Sequence, residues 1–135
     1  MTLRQALQSL SAGLALLAWH ACAAAQAPGG FAGAYSNQLG TVSIVRTAQG
    51  FDVEISTAEH RSGKWTCDFT GSGRLDGSGA LVIAYRPETG ADTIKVMLTL
   101  RHNVLGVDEA RHDAAADYCG LNGFIGGDYR RQPKR

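Results

Sequence analysis

The chain has 135 residues, with 13 Lys+Arg against 12 Asp+Glu and 17 Gly. That length suits one domain, and so much glycine argues against a helical bundle, because each interior Gly costs about 1 kcal/mol relative to Ala. Composition and balanced charge also argue against a coiled coil, a disordered chain, a membrane protein and a nucleic-acid binder.

The first element in chain order is an export signal. Residues 1–9 hold Arg4 and the N-terminal amine and no acid, Leu10 to Trp19 is an apolar block, and Ala23-Ala24-Ala25 follows. A basic start, a short apolar block and an A-x-A site predict a signal peptide over residues 1–25. The block is shorter than the ~20 residues that span a bilayer, so no transmembrane segment is expected. A lipid anchor on Cys22 is not expected either. Bacterial lipoproteins carry Leu three residues before that Cys and small residues after it, whereas Trp19 stands there in this chain. Cleavage after Ala25 leaves 110 residues with equal numbers of basic and acidic side chains. The expected location is the periplasm, with secretion beyond it left open.

Residues 26–131 then read as one all-β domain. Phe51, Val53 and Ile55 alternate with Asp52, Glu54 and Ser56, and Trp65, Cys67 and Phe69 with Thr66, Asp68 and Thr70. Ile94, Val96, Leu98 and Leu100 alternate with Lys95, Met97, Thr99 and Arg101. Such a period of 2 marks half-buried strands. Val42 and Ile44, then Leu81, Ile83 and Tyr85, read the same way, and Val104 to Val107 is a short mixed run. Turn signals separate the runs at Ala48-Gln49-Gly50, at Asp76-Gly77-Ser78-Gly79 and at Pro87-Glu88-Thr89-Gly90. The expectation is an all-β fold, a small antiparallel barrel or barrel-like sandwich of about eight strands. Residues 108–117 break the alternation and read as a polar loop or about two turns of helix with Asp108 as N-cap. The ends mirror one another: Phe31-x-Gly33-x-Tyr35 opens the domain and Ile125-x-Gly127-x-Tyr129 closes it. Pairing of first and last strands would remove the exposed edges. A functional alternative has the two Tyr lining a binding mouth. Residues 132–135 read as a frayed basic tail.

Three Cys less Cys22 leave Cys67 and Cys119. An even pair in a small exported chain predicts a disulfide, closing a loop worth on the order of 4 kcal/mol.

Enzyme chemistry has little to stand on. The chain has no G-x-S-x-G, no H-E-x-x-H and no Cys free to act as a nucleophile. His112 lies beside Asp113 and near Asp108 and Glu109, but polar loops cluster such residues for solvation alone. Asp76-x-Ser78 offers too few oxygens for calcium. No catalytic residue, metal or cofactor is expected.

Gly33 and Tyr35, the run Trp65-Thr66-Cys67-Asp68-Phe69 with Gly71, and Tyr118-Cys119-Gly120 carry a resemblance. On them the chain is similar to small bacterial periplasmic β-barrel inhibitors, lysozyme inhibitors and calycin-like protease inhibitors among them. Gly71-Ser72-Gly73-Arg74-Leu75 resembles the Ser-Gly-rich loop that C-type lysozyme inhibitors insert into the lysozyme cleft, although here it follows Cys67 at once. The resemblance implies a non-enzymatic inhibitor or immunity factor that occludes the cleft of a cell-wall hydrolase. Arg61, Ser62 and Lys64 form a basic loop suited to carboxylates in such a cleft, and Asp108, Glu109 and Asp113 an acidic segment suited to steering a basic partner. The alternative is a calycin-like carrier of a small apolar ligand, with Trp65, Phe69, Phe51, Leu98 and Leu100 in the barrel interior.

Overall fold

The alternating runs become eight strands: β1 (Gly33–Ser36), β2 (Gly40–Arg46), β3 (Phe51–Ala58), β4 (Thr66–Leu75), β5 (Leu81–Tyr85), β6 (Ile94–Arg101), β7 (Val104–Glu109) and β8 (Gly127–Arg131). The structure, a computed structural model, describes residues 30–88, 93–109 and 117–135. The expected signal peptide with Cys22, the end of the Pro87 turn, and Arg111, His112 and Asp113 lie outside the described residues. Each strand pairs antiparallel with the next, and β8 returns to β1, so the sheet closes as a barrel rather than a sandwich. Among the described residues no helix is long and apolar enough to cross a membrane.

Period 2 sends one side chain of each pair inward. Val42, Ile55 and Phe69 stand opposite one another across β2, β3 and β4, and all three are buried. Tyr35, Tyr129, Leu81, Ile83, Leu98, Leu105 and Ile125 fill much of the remaining interior. Burying each such aliphatic or aromatic group contributes about 1.5–3 kcal/mol. An eight-stranded barrel is narrow enough for side chains alone to fill it. Trp65 departs from the expected interior set. It precedes β4, is half-buried, and packs on Phe124 instead.

Residues 71–75 are strand and not the loop that their Ser and Gly suggest. β4 pairs with β3 up to Phe51↔Gly73 and with β5 from Gly73↔Ile83 onward, so it turns the corner between two sets of neighbours. The glycines at its inward positions make the bend possible. A Cβ on Gly73 would lie 2.5 Å from the carbonyl oxygen of Val82, and one on Gly71 2.6 Å from Cγ2 of Ile83. Asp108 and Glu109 are likewise not loop. They complete β7, opposite Met97 and Val96, so Asp108 caps no helix.

The two tyrosines form matching corners. The Tyr35 hydroxyl donates to the carbonyl of Phe31 at 2.7 Å, and that of Tyr129 to the carbonyl of Ile125 at 2.6 Å. Both side chains are fully buried, so neither lines a mouth. Between these corners lies the closing seam, only Tyr35↔Arg131 and Ser36↔Arg130 in length. The Arg131 guanidinium sits 4.8 Å over the Tyr35 ring and donates to the carbonyls of Ala32 and Gly30. Gln132 continues the seam, its amide donating to Ala34 and its side chain to Ser36, so the hydrogen bonds of the seam run one residue into the expected tail.

The up-and-down order sorts the connections. Short turns at 47–50, 76–80 and 102–103 share one end with the chain termini. Asp76 organises one of them by accepting from the amides of Ser78 and Ala80, which is the turn reading of that segment. The short 37–39 connection and the longer ones, 59–65, 86–93 and 110–126, share the other end.

Two outcomes test this packing. Gly73→Ala is expected to cost about 1–3 kcal/mol through overpacking, read as a lower urea midpoint. Burial pushes the Tyr129 hydroxyl up to about 12 from its ordinary 10 and raises Tyr35 despite the opposing charge of Arg131. The unfolded chain therefore loses these protons first as pH rises. Their contribution is fully present below pH 10 and is lost as pH climbs toward 12. The melting temperature should hold to about pH 10 and fall above it. Tyr129→Phe should start lower, having left a buried carbonyl without its donor, and fall less steeply.

Candidate functional site: the loop end of the barrel

Two connections at the loop end are fixed side by side. The first joins β3 to β4 and is organised by Glu59. Its carboxylate accepts from the Arg61 amide at 2.9 Å, from the Ser62 amide at 2.8 Å and from the Ser62 hydroxyl. The Ser62 hydroxyl, followed by these amides, holds the Glu59 carboxyl below its ordinary range, so it stays charged and keeps its grip at neutral pH. The backbone closes the same loop, with Gly63 donating to Glu59 and Glu59 to Trp65. The His60 ring sits 3.1 Å from the carbonyl of Leu39 and braces the loop against the β1–β2 connection. Arg61, Ser62 and Lys64 project from this frame, all exposed. The polar run of residues 60–64 made this loop visible in the sequence. The Glu59 clamp was not visible, because it exists only once the loop has closed.

The second connection leads into β8 and is tied to the start of β4. Cys67 and Cys119 are joined as a disulfide. On either side of it, Asp68 donates to Tyr118 and Gly120 donates to Thr66, both at 2.8 Å. The chain then turns through residues 120–123, closed by Gly123 donating to Gly120 at 2.9 Å, with Asn122 at φ 65°. Gly123 rests on the disulfide itself: a Cβ there would fall 2.8 Å from Sγ of Cys67. Beyond the turn, Phe124 stacks against Trp65 with ring centroids 5.1 Å apart, and its carbonyl accepts from the buried Thr57 hydroxyl at 2.8 Å. The Ile125 amide donates to the Glu109 carboxylate.

The tip of this turn is Leu121, 86% exposed. Gly120 and Gly123 anchor the two ends of the turn, yet its one large apolar side chain is held in water. Sequence reading passed over Leu121, since a lone apolar residue in a Gly-rich stretch has no periodicity. The Asn122-Gly123 pair after Cys119 was the available signal, as it marks a turn.

A groove of about 560 Å³ continues the surface between the β1–β2 connection and the segment entering β8. Leu39 and Phe124 give it apolar walls, and Asp128 and Arg130 border it. Asn37 spans it, its side-chain amide donating to the Asp128 carbonyl while its oxygen accepts from Leu39 and Gly40.

The expected acidic segment has a different setting. Asp108 lies exposed on the barrel wall, Glu109 is half-buried, and Asp113 is outside the described residues. Among the described residues no three His, Cys, Asp or Glu come close enough to hold a metal ion. What the loop end offers chemically is contact: two cations, an exposed leucine, a tryptophan edge and an adjoining groove, all on braced backbone.

The disulfide is the brace shared by both connections. Cys67→Ser, measured in oxidising buffer, is expected to cost about 2–5 kcal/mol and to lower the melting temperature clearly; an unchanged melting temperature would leave the hydrogen bonds alone as the brace. No protein family, curated protein or solved structure matches the chain, so its function is argued from this surface.

Proposed function

We propose that the chain is an exported binding protein that occludes the cleft of another protein with the loop end of its barrel, and that the partner is a cell-wall hydrolase of the lysozyme type. The observation that carries this reading is Leu121, held in solvent at the tip of a disulfide-anchored turn beside the Glu59-clamped loop of Arg61 and Lys64. An apolar side chain fixed in water gains most when a partner covers it, and a few such anchors dominate protein interfaces. Braced loops also lose little conformational entropy on docking. The neighbouring cations suit a glycoside hydrolase, whose cleft carries a pair of carboxylates. Occlusion needs no chemistry from the inhibitor. A disulfide fits an oxidising compartment, and the periplasm is the compartment this reading requires.

The carrier alternative has less support. The interior position a small apolar ligand would take is occupied by Tyr35, Tyr129, Phe69 and the aliphatic side chains around them. Three hollows lined by described residues, of about 560, 340 and 230 Å³, are open to solvent.

The test is inhibition of a panel of purified lysozyme-type hydrolases, with capture measured in parallel. The expected result is stoichiometric inhibition of at least one enzyme. Leu121→Asp should weaken binding by at least tenfold and Lys64→Glu should weaken it as well, both with unchanged melting temperature. Failure to bind any member of the panel would overturn the hydrolase assignment. Equal binding by both variants would overturn the loop end as the contact surface. A co-purifying apolar small molecule would favour the carrier.

A further inference from the structure

The outer wall of β6, β7 and β8 has a second feature, which runs from the β6–β7 turn to the edge of the loop-end groove. Arg101, Val104 and Arg130 stand in one cross-strand row, with Arg101 paired to Val104 and Val104 to Arg130. Neighbouring strands lie about 4.8 Å apart, which puts the two arginines roughly 10 Å apart along the wall. Both are exposed. Neither guanidinium has a hydrogen-bond or ion-pair partner among the described residues. The adjacent row is Thr99, Gly106 and Asp128. A hollow of about 340 Å³ opens between Arg101 and Asp128, lined also by Thr99, Gly106, Val104 and His102, and Arg130 stands just outside it, where it borders the loop-end groove. That volume lies at the small end of ligand sites.

Gly106 makes the floor. A Cβ at this position would lie 3.0 Å from Oγ1 of Thr99 and 3.5 Å from Oδ1 of Asp128. The hydroxyl and the carboxylate therefore converge over bare backbone, where a flat ligand can approach closely. Surface arginines commonly fold back onto nearby carboxylates. Here Asp128 shares the hollow with Arg101 and follows the same strand as Arg130, yet no ion pair forms. Among the described residues nothing takes the donors of either guanidinium, whose planar fork binds an oxyanion in bidentate fashion.

We propose that this wall is a binding site for an anionic saccharide. Arg101 and Arg130 take its oxyanions, while Thr99 and Asp128 take ring hydroxyls above Gly106. The carboxylate decides between classes of polyanion. Asp128 accepts hydrogen bonds from sugar hydroxyls, but it repels a nucleic-acid strand, which brings a phosphate about every 3.4 Å. The lining residues also provide no Phe, Tyr or Trp on which a base would stack. A chain whose charged groups are separated by neutral rings fits both the spacing of the arginines and the acid between them.

The experiment follows amide chemical shifts of the purified chain during titration with a tetrasaccharide of alternating glucuronate and N-acetylglucosamine. A neutral N-acetylglucosamine tetrasaccharide, inorganic sulfate and a single-stranded oligonucleotide serve as comparators. The expected result is saturable shifts at Gly106, Val104 and Asp128 with the acidic saccharide and none with the neutral one. Arg101→Gln and Arg130→Gln should each weaken binding at least tenfold with unchanged melting temperature, since both side chains are exposed and neither has a partner among the described residues. Absence of saturable shifts, or binding unaffected by both substitutions, would overturn the site. Sulfate binding as tightly as the saccharide would reduce it to a simple ion site, and stronger binding of the oligonucleotide would overturn the ligand class.

Discussion

A barrel exists only if its last strand meets its first, and in this chain that meeting is two residue pairs long. Every other pair of neighbouring strands shares at least three. The seam survives because side chains reinforce it. Arg131 spends its guanidinium on two carbonyls of the incoming segment and on the face of Tyr35. Tyr35 and Tyr129 each fix the backbone four residues earlier, so both strands enter the seam at a set angle. The mirrored apolar-x-Gly-x-Tyr segments are thus one device used twice. Without closure, β1 and β8 would be exposed edges, open to pairing with other chains.

Closure divides the molecule into ends of different character. At one end the turns are short and locally satisfied, as where Asp76 gathers the amides of its own turn. At the other, three of the four connections are longer and are held by contacts distant in sequence. The disulfide bridges 52 positions, and the Thr57 hydroxyl reaches the carbonyl of Phe124 across 67. Loops tied at such separations keep their shape only while the barrel is intact. Rigidity at the loop end is therefore inherited from the seam, and a surface built to dock a partner depends on it.

The sequence disclosed this architecture wherever alternation was clean. Phe51 to Ile55 and Ile94 to Leu100 point inward and outward as their period requires. It misled where function-like composition overlay a strand. Gly71-Ser72-Gly73 reads as a loop by composition, yet the glycines occupy inward positions because Ile83 and the Val82 backbone fill the space beside them. Asp108 and Glu109 read as loop or helix start because the alternation breaks over residues 108–117, yet Leu105 and Val107 before them already set the register of β7. The disulfide followed from counting cysteines, since cleavage of the expected leader leaves two. The candidate site was half legible. Its basic loop is a run of polar residues, whereas Leu121 and the Glu59 clamp acquire meaning only from tertiary neighbours.

Net charge proved the least informative quantity, because near-neutrality conceals sidedness. Across β2, β3 and β4 the outward rows are Thr41–Ser56–Asp68, Ser43–Glu54–Thr70 and Val45–Asp52–Ser72, with three acids and no base. Ser56 and Ser72 donate to Asp68 and Asp52, so these carboxylates are held against the sheet. The wall of β6 to β8 instead carries Lys95, Arg101 and Arg130 against Asp108 and Asp128, a slight excess of base. A sum near zero predicts no long-range field, yet a ligand the size of a few sugar rings meets one wall at a time. Within a Debye length of about 8 Å at physiological salt it experiences that wall's charge and little of the other's. Balanced composition therefore argues against a protein that coats a polyanion, and it leaves room for discrete sites of either sign.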